Sequence, residues 1–339
     1  MKYRKLGTRG PEVSEICLGT MMFGARTNFA TAGKIVATAK ESGVNFIDTA
    51  DVYSVGEAEK FTGRLIRKDR PDWVLATKVG YGMSDKPSER GLSPKWIRRE
   101  VKASLKRLKT DYIDLYYLHV DDPTVPLEDT IGVIAELVKS GAIRHWGMSN
   151  YRGWRIAQAV GICDLMKAPR PVACQPYYNA MNRMPEVDIL PACHAFGIGV
   201  VPYSPLARGV LTGKYDPKAA PARGTRAGRG DKRMLGSEWR KESLRLAQRI
   251  KKHAEKRGMT TGDFAMNWVL NNSCVASVIA GPRTLGQWRD YLGALRHDFT
   301  AADEALIDRL VTTGHPSTPG YNDPLYPITG RMPLTGKED

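Results

Sequence analysis

Within the stretch NFIDTADVY (45–53), Asp48, Asp51 and Tyr53 follow apolar Phe46 and Ile47. Aspartates in such a place can cap a turn or the next helix. The stretch gains chemical meaning only from what else reaches the same point. Lys78 stands at the end of the apolar run WVLATKV (73–79), and His119 at the end of YIDLYYLH (112–119). Each is ordinary alone, since a lysine stem snorkels to water and a lone histidine is often a satisfied core residue. Together they have a logic. Tyrosine ionises near ~10, too high for an efficient proton donor at neutral pH, and a neighbouring ammonium is expected to lower that value. Asp48 can hold Lys78, because an unpaired buried ammonium tends to lose its charge. His119 can orient an oxygen or relay a proton to Tyr53. General acid help of this kind contributes roughly 10²–10⁴ in rate, and the remainder must come from positioning. Such donors suit an oxygen that gains negative charge, as when hydride adds to a carbonyl.

Convergence requires elements that deliver these side chains to one rim. Eight short apolar runs rich in β-formers read as strands: 15–20, 45–49, 73–79, 112–119, 143–149, 171–175, 197–204 and 274–280. Helical patterns separate them. SPKWIRREVKASLKRL (93–108) opens with Ser93 as N-cap and Pro94 at the first helical position, and its apolar residues recur at helical spacing. PLEDTIGVIAELVKSGAI (126–143) has one apolar face and a stop at Gly141; EVDILPACHAFGIG (186–199) ends its helix at Gly197. Eight strands, each followed by a helical pattern, predict parallel βαβ units and an α/β fold. A single (β/α)8 barrel spanning 1–339 satisfies the count; a doubly wound open sheet is the rival, and the absence of a G-x-G-x-x-G fingerprint counts against it. In a barrel the carboxyl ends of the strands carry function, which places Asp48, Tyr53, Lys78 and His119 on one rim. KLGTRGPEVSEI (5–16) reads as an N-terminal β-hairpin plugging the barrel bottom. Residues 212–240 read as a long basic loop after the seventh strand, and 314–339, with five prolines, as an irregular C-terminal tail.

Composition bounds the partners. Apolar residues make up 42% of 339, enough for a large core. No run approaches the ~18 residues of a membrane helix, and MKYRKLGTRG lacks the apolar stretch of a secretory signal. Five cysteines without a C-x-x-C pair suggest a reduced, cytoplasmic protein with no metal site. Net charge is +15, and residues 208–257 hold 16 Lys and Arg against 5 Asp and Glu. Zinc-finger spacing, an RNA-binding signature and a stacked aromatic series are all missing, which argues against nucleic acid. The basic stretch is either a solvated face or an attractor for an anionic cofactor. A homo-oligomer is left open.

At this point the chain resembles the aldo-keto reductase family over nearly its whole length. GVNFIDTADVY, ATKVG, YIDLYYLH, IRHWGMSNY, QPYYN and YSPLARGVLTGKY match family motifs in order, and the pattern is closest to the bacterial and potassium-channel-β-subunit-like branch. The resemblance implies an eight-stranded barrel and a nicotinamide cofactor. It makes Tyr53 the general acid, assisted by Asp48, Lys78 and His119. It puts Thr20 and Met21 beside the cofactor, Ser149, Asn150 and Gln175 on the carboxamide, and Tyr203 under the nicotinamide ring. Ser204, Leu206, Arg208, Gly209 and Lys214 fall along the pyrophosphate, which favours the attractor reading of the basic stretch. Gly281 and Arg283 fall at the ribose phosphate, with Gln287 and Asp290 at the adenine end; Asp290 stands in place of the usual Glu and Tyr291 in place of the usual Asn. A planar guanidinium suits a 2′-phosphate, so NADPH is expected over NADH. Met22, Phe23, Val52, Tyr81 and His119 are expected to line an apolar substrate entrance, with the 212–240 loop and the tail. The expected activity is reduction of an aldehyde or ketone. A redox-sensing regulatory role and the reverse oxidation of an aldose or alcohol are the alternatives.

Overall fold

The computed structural model describes residues 1–328. Strands β1 (Tyr3–Lys5) and β2 (Glu12–Ser14) form an antiparallel hairpin. Strands β3 (Ile16–Gly19), β4 (Phe46–Asp48), β5 (Val74–Val79), β6 (Ile113–Leu118), β7 (Ile143–Ser149), β8 (Ala173–Gln175), β9 (Gly199–Val200) and β10 (Val278–Ala280) form one sheet. Its order is β10-β3-β4-β5-β6-β7-β8-β9, and every pairing is parallel. The sheet curls until its edges meet: Val200 pairs with Val275, and Ile279 N donates to the Pro202 carbonyl at 3.0 Å. That closure is the (β/α)8 barrel. The helices are α1 (Phe29–Glu41), α2 (Glu57–Ile66), α3 (Pro94–Leu108), α4 (Leu127–Lys139), α5 (Gly153–Leu165), α6 (Ile189–Phe196), α7 (Lys232–Ser237), α8 (Lys241–Lys256), α9 (Thr261–Leu270), α10 (Leu285–Gly293) and α11 (Ala301–Leu310).

Strand periodicity sorts the residues. Phe46, Ala76, Leu115 and Tyr117 pack inside the ring with Leu6 and Val13 of the hairpin, which fills the bottom. Ile47, Leu75, Tyr116 and Leu118 point outward into the helix layer. Side chains alternate with period two, so Asp48, Lys78 and His119 each lie two residues beyond an inward apolar one. The pattern that buries the core therefore aims these three into the ring at its carboxyl end.

Helix starts follow local chemistry. Ser93 Oγ accepts from Trp96 N at 3.3 Å, with Pro94 heading α3, and Gly197 closes α6 in the left-handed conformation. Two segments depart from expectation. The 197–204 run forms strand only at Gly199–Val200, because Pro202 has no N–H to give the ladder. The 212–240 segment is not an unbroken loop: it holds α7, started by Asp231, whose side chain accepts from Met234 N at 2.9 Å, and Met234 is fully buried. Residues 314–328 are irregular yet pinned; the rest of the expected tail, 329–339, lies outside the described residues. Among the described residues no helix is long and apolar enough to cross a membrane.

Candidate active site

Lys78, with 0% exposure, and Asp48, with 2%, form the centre. The Lys78 Nζ lies 2.5 Å from Asp48 Oδ1, donates to the Thr49 carbonyl at 2.7 Å, and stands 3.4 Å from the Tyr53 hydroxyl. Gln175 Nε2 donates to the second Asp48 oxygen at 3.0 Å. Thr20 holds the Asp48 backbone carbonyl through both its N–H, at 2.9 Å, and its hydroxyl, at 3.1 Å. Burial works to lower the Lys78 value, but the Asp48 carboxylate and Tyr53 outweigh it and raise it, so the ammonium persists.

Tyr53 differs from the sequence expectation in one respect. Burial holds its phenol above the ordinary value, and the opposing pull of Lys78 is the smaller effect. At neutral pH the hydroxyl therefore keeps its proton. His119 is 7% exposed, and burial, aided by the Lys78 charge, holds its imidazole well below the usual range, so it is neutral. Its ring stands edge-on to Tyr53 at 5.9 Å and to Tyr81 at 4.6 Å, and its Nδ1 is buried without a partner among the described residues. The structure thus brings a protonated phenol, an ammonium–carboxylate pair and a neutral imidazole onto one rim.

The neighbouring strand ends carry amides. Ser149 Oγ donates to the Gln175 carbonyl at 2.8 Å, and Asn150 Nδ2 to the His119 carbonyl at 2.9 Å. Tyr203 donates its hydroxyl to Asn150 Oδ1 at 2.8 Å and stacks on Tyr177 at 5.7 Å. Ser204, Ala207, Arg208 and Gly209 take positive φ, a run of the backbone geometry that gathers N–H groups into an anion-binding concavity. The Arg208 Nε is buried with no partner among the described residues. Leu206 is half-buried there, and Lys214 is exposed with its Nζ 3.5 Å from the place a Gly209 Cβ would take.

Further along, a cavity of about 510 Å³ is lined by Arg26, Thr27, Asn28, Thr31, Arg229, Arg283 and Thr284. Thr27 Oγ1 donates to the Arg283 carbonyl at 2.9 Å, tying the two walls together. Gln287 turns back, its Oε1 accepting from Arg283 N at 2.8 Å, whereas Asp290 and Gly281 are exposed. Arg26 and Arg229 escaped the sequence reading; the signal available for Arg26 was its place in the loop after the first barrel strand.

On the substrate side, Met22, Val52 and Tyr81 are partly exposed and Met21 is exposed, but Phe23 is fully buried in the helix-layer core and does not reach the entrance. The tail, also expected there, meets Tyr81: the Tyr326 and Tyr81 hydroxyls share a hydrogen bond of 2.7 Å. The tail is held by Arg152 Nη2 to the Tyr326 carbonyl at 2.7 Å and by the paired Arg233 guanidinium and Asp323 carboxylate. The sequence places the tail at the entrance, but that Tyr326 is the residue meeting Tyr81 depends on contacts far away in the chain.

The closed ring, with its ionisable rim and basic cavity, is that of the aldo/keto reductases, and residues 15–312 match the model of the aldo/keto reductase family. The chain belongs to that family and is an NAD(P)H-dependent oxidoreductase. It is similar to a probable voltage-gated potassium channel subunit beta of Arabidopsis thaliana, 35% identical over 300 residues, covering 87% of this chain and 91% of that one. A protein of the same description from Oryza sativa subsp. japonica is 33% identical with the same coverage. An uncharacterized oxidoreductase of Bacillus subtilis, YrpG, is 37% identical over 307 residues, again covering 87% and 91%.

Proposed function

We propose that the protein reduces an aldehyde or ketone to the alcohol using NADPH, with Tyr53 as the general acid. The observation that carries this reading is the 3.4 Å approach of Lys78 Nζ to a phenol that burial keeps protonated. When bound, the nicotinamide supplies hydride. The chain's own residues do the rest. Tyr53 gives its proton to the carbonyl oxygen as negative charge develops there, and Lys78 stabilises the phenolate left behind. Asp48 keeps Lys78 charged and in place. His119, being neutral, can donate a ring N–H to the same oxygen without repelling Lys78.

The donor set fits a dinucleotide. Ser149, Asn150 and Gln175 offer amide and hydroxyl partners for a carboxamide, and Tyr203 offers a ring face. The 204–209 turn and Arg208 suit a pyrophosphate. Arg283, joined by Arg26 and Arg229, suits a ribose phosphate, which is why we favour NADPH over NADH. The five thiols, all free, are compatible with a cytoplasmic location.

Tyr53→Phe should lower turnover by about 10²–10⁴ while NADPH binds as before. Near-normal carbonyl reduction by that variant would refute the assignment. A second reading is motivated by the plant relatives, each a probable potassium channel subunit beta: a cofactor-loaded protein whose redox state governs a partner. Oxidation of one equivalent of bound NADPH, with no steady turnover on a broad carbonyl panel, would favour it.

A further inference from the structure

Tyr53 leads into a backbone that L-residues avoid. Ser54 (φ 50°, ψ 35°), Val55 (φ 52°, ψ 50°) and Gly56 (φ 87°, ψ −9°) are three consecutive left-handed residues between the phenol and α2. A left-handed conformation is especially unfavourable for β-branched valine, and Val55 is 68% exposed, so burial does not offset it. Something else must hold the turn. Ser54 Oγ donates to the Phe23 carbonyl at 3.0 Å, and Val52 N donates to Asp51 Oδ1 at 2.6 Å. The Glu57 backbone N–H donates to the Ser54 and Tyr53 carbonyls, but none of these contacts is a side chain seated on Gly56.

The side chain packed on Gly56 is Arg107 of α3. A Cβ at position 56 would lie 2.7 Å from Arg107 Cδ and 3.0 Å from its Nε. Arg107 is itself immobilised. Its Nε donates to Glu59 Oε2 at 2.5 Å, and its Nη2 to Glu100 Oε1 and to Ser104 Oγ at 3.0 Å. The other Glu59 oxygen accepts from Thr77 Oγ1 at 2.6 Å. Thr77 is the outward neighbour of Lys78 on β5. One buried chain of contacts therefore runs from the strand that carries the ammonium, through Glu59 and Arg107, to the turn that carries the phenol.

We infer that Arg107, outside the reacting pocket, is a positioning residue for Tyr53: it wedges the left-handed Ser54–Gly56 turn against the Glu59–Thr77 pair and so sets the phenol over Lys78. The inference rests on the reading of Tyr53 as general acid. Lysine cannot reproduce the work of Arg107, because it has one charged nitrogen where two carboxylates and a hydroxyl are met by a planar fork.

The test is a double-mutant cycle of Arg107→Lys with Tyr53→Phe, followed by single-turnover reduction per cofactor-bound site, with NADPH affinity measured separately by fluorescence. Misplacing a reacting group by about 1 Å can cost about 10²-fold, so Arg107→Lys should slow reduction by about 10–100-fold with NADPH affinity within about twofold of wild type. In the Tyr53→Phe background the same change should add almost nothing, since there is no phenol left to place. Gly56→Ala, which leaves every charge in the cluster, provides the same cycle if Arg107→Lys does not fold. An unchanged rate per bound cofactor, or an equal loss with and without the phenol, overturns the inference. Full activity of Tyr53→Phe alone would instead remove the reading beneath it.

Discussion

The ionisable rim and the arginine-lined cavity are built on opposite principles. At the rim, Asp48, Lys78 and Gln175 are buried and meet one another's charge and hydrogen-bonding needs before anything binds. In the cavity, Arg26 and Arg229 are exposed, and the ≈510 Å³ they share with Arg283 gathers positive charge without an internal carboxylate among its lining residues. The first region is preorganised by the protein; the second carries positive charge with no counter-charge among its lining residues. Chemistry needs fixed atoms, since a group that must reorganise in the transition state stabilises it less. Affinity for a phosphate tolerates longer and looser side chains.

That contrast can be broken by mutation. Removing a partner from the preorganised pair should have the largest effect: Lys78→Met leaves the Asp48 carboxylate buried without its cation, at a cost of about 3–5 kcal/mol in unfolding free energy. Urea denaturation measures it, and an unchanged midpoint would mean the pair is not held as described. In the cavity, Arg283→Ala should weaken NADPH about 10–100-fold, the range of a lost charge-assisted hydrogen bond. NADH should be nearly unaffected and the fold unharmed. Equal losses for both dinucleotides would remove the phosphate from that cavity.

The smallest effect sharpens the comparison from beneath the rim. Burial, followed by the nearby Glu59 and Glu100, holds the Asp51 carboxyl well above its ordinary 3.8. The unfolded chain gives up this proton near 3.8 while the fold retains it. Wild-type stability should therefore fall as pH rises from there through the raised native value. Asn has no such proton. Asp51→Asn should match wild type near about pH 4 and exceed it at about pH 8. A wild type that gains on the variant with rising pH would show Asp51 to be charged in the fold.

Much of the frame was legible because it is local. Short apolar runs rich in β-formers located all eight strands, and their carboxyl ends were where Asp48, Lys78 and His119 stood in the sequence. Ser93–Pro94 and Gly197 marked helix ends through the chemistry of their own turns. What stayed hidden depends on distance in the chain. Glycine and arginine between 212 and 240 masked α7, whose stability comes from burying Met234. The direction of the Tyr53 shift was misjudged because the lysine is visible in sequence whereas the extent of burial is not. Arg107, Arg229 and Tyr326 gain their roles only from neighbours that the fold supplies.

The phenol pair at the mouth also constrains the order of synthesis. Tyr81 and Tyr326 are separated by 245 positions. At a translation speed of about 5–20 residues per second, the later tyrosine is made roughly 10–50 s after the earlier one. For that interval Tyr81, Lys78 and Tyr53 already exist while the tyrosine that meets Tyr81 does not. The wall of the mouth is thus completed by a segment made well after the residues that stand at its floor.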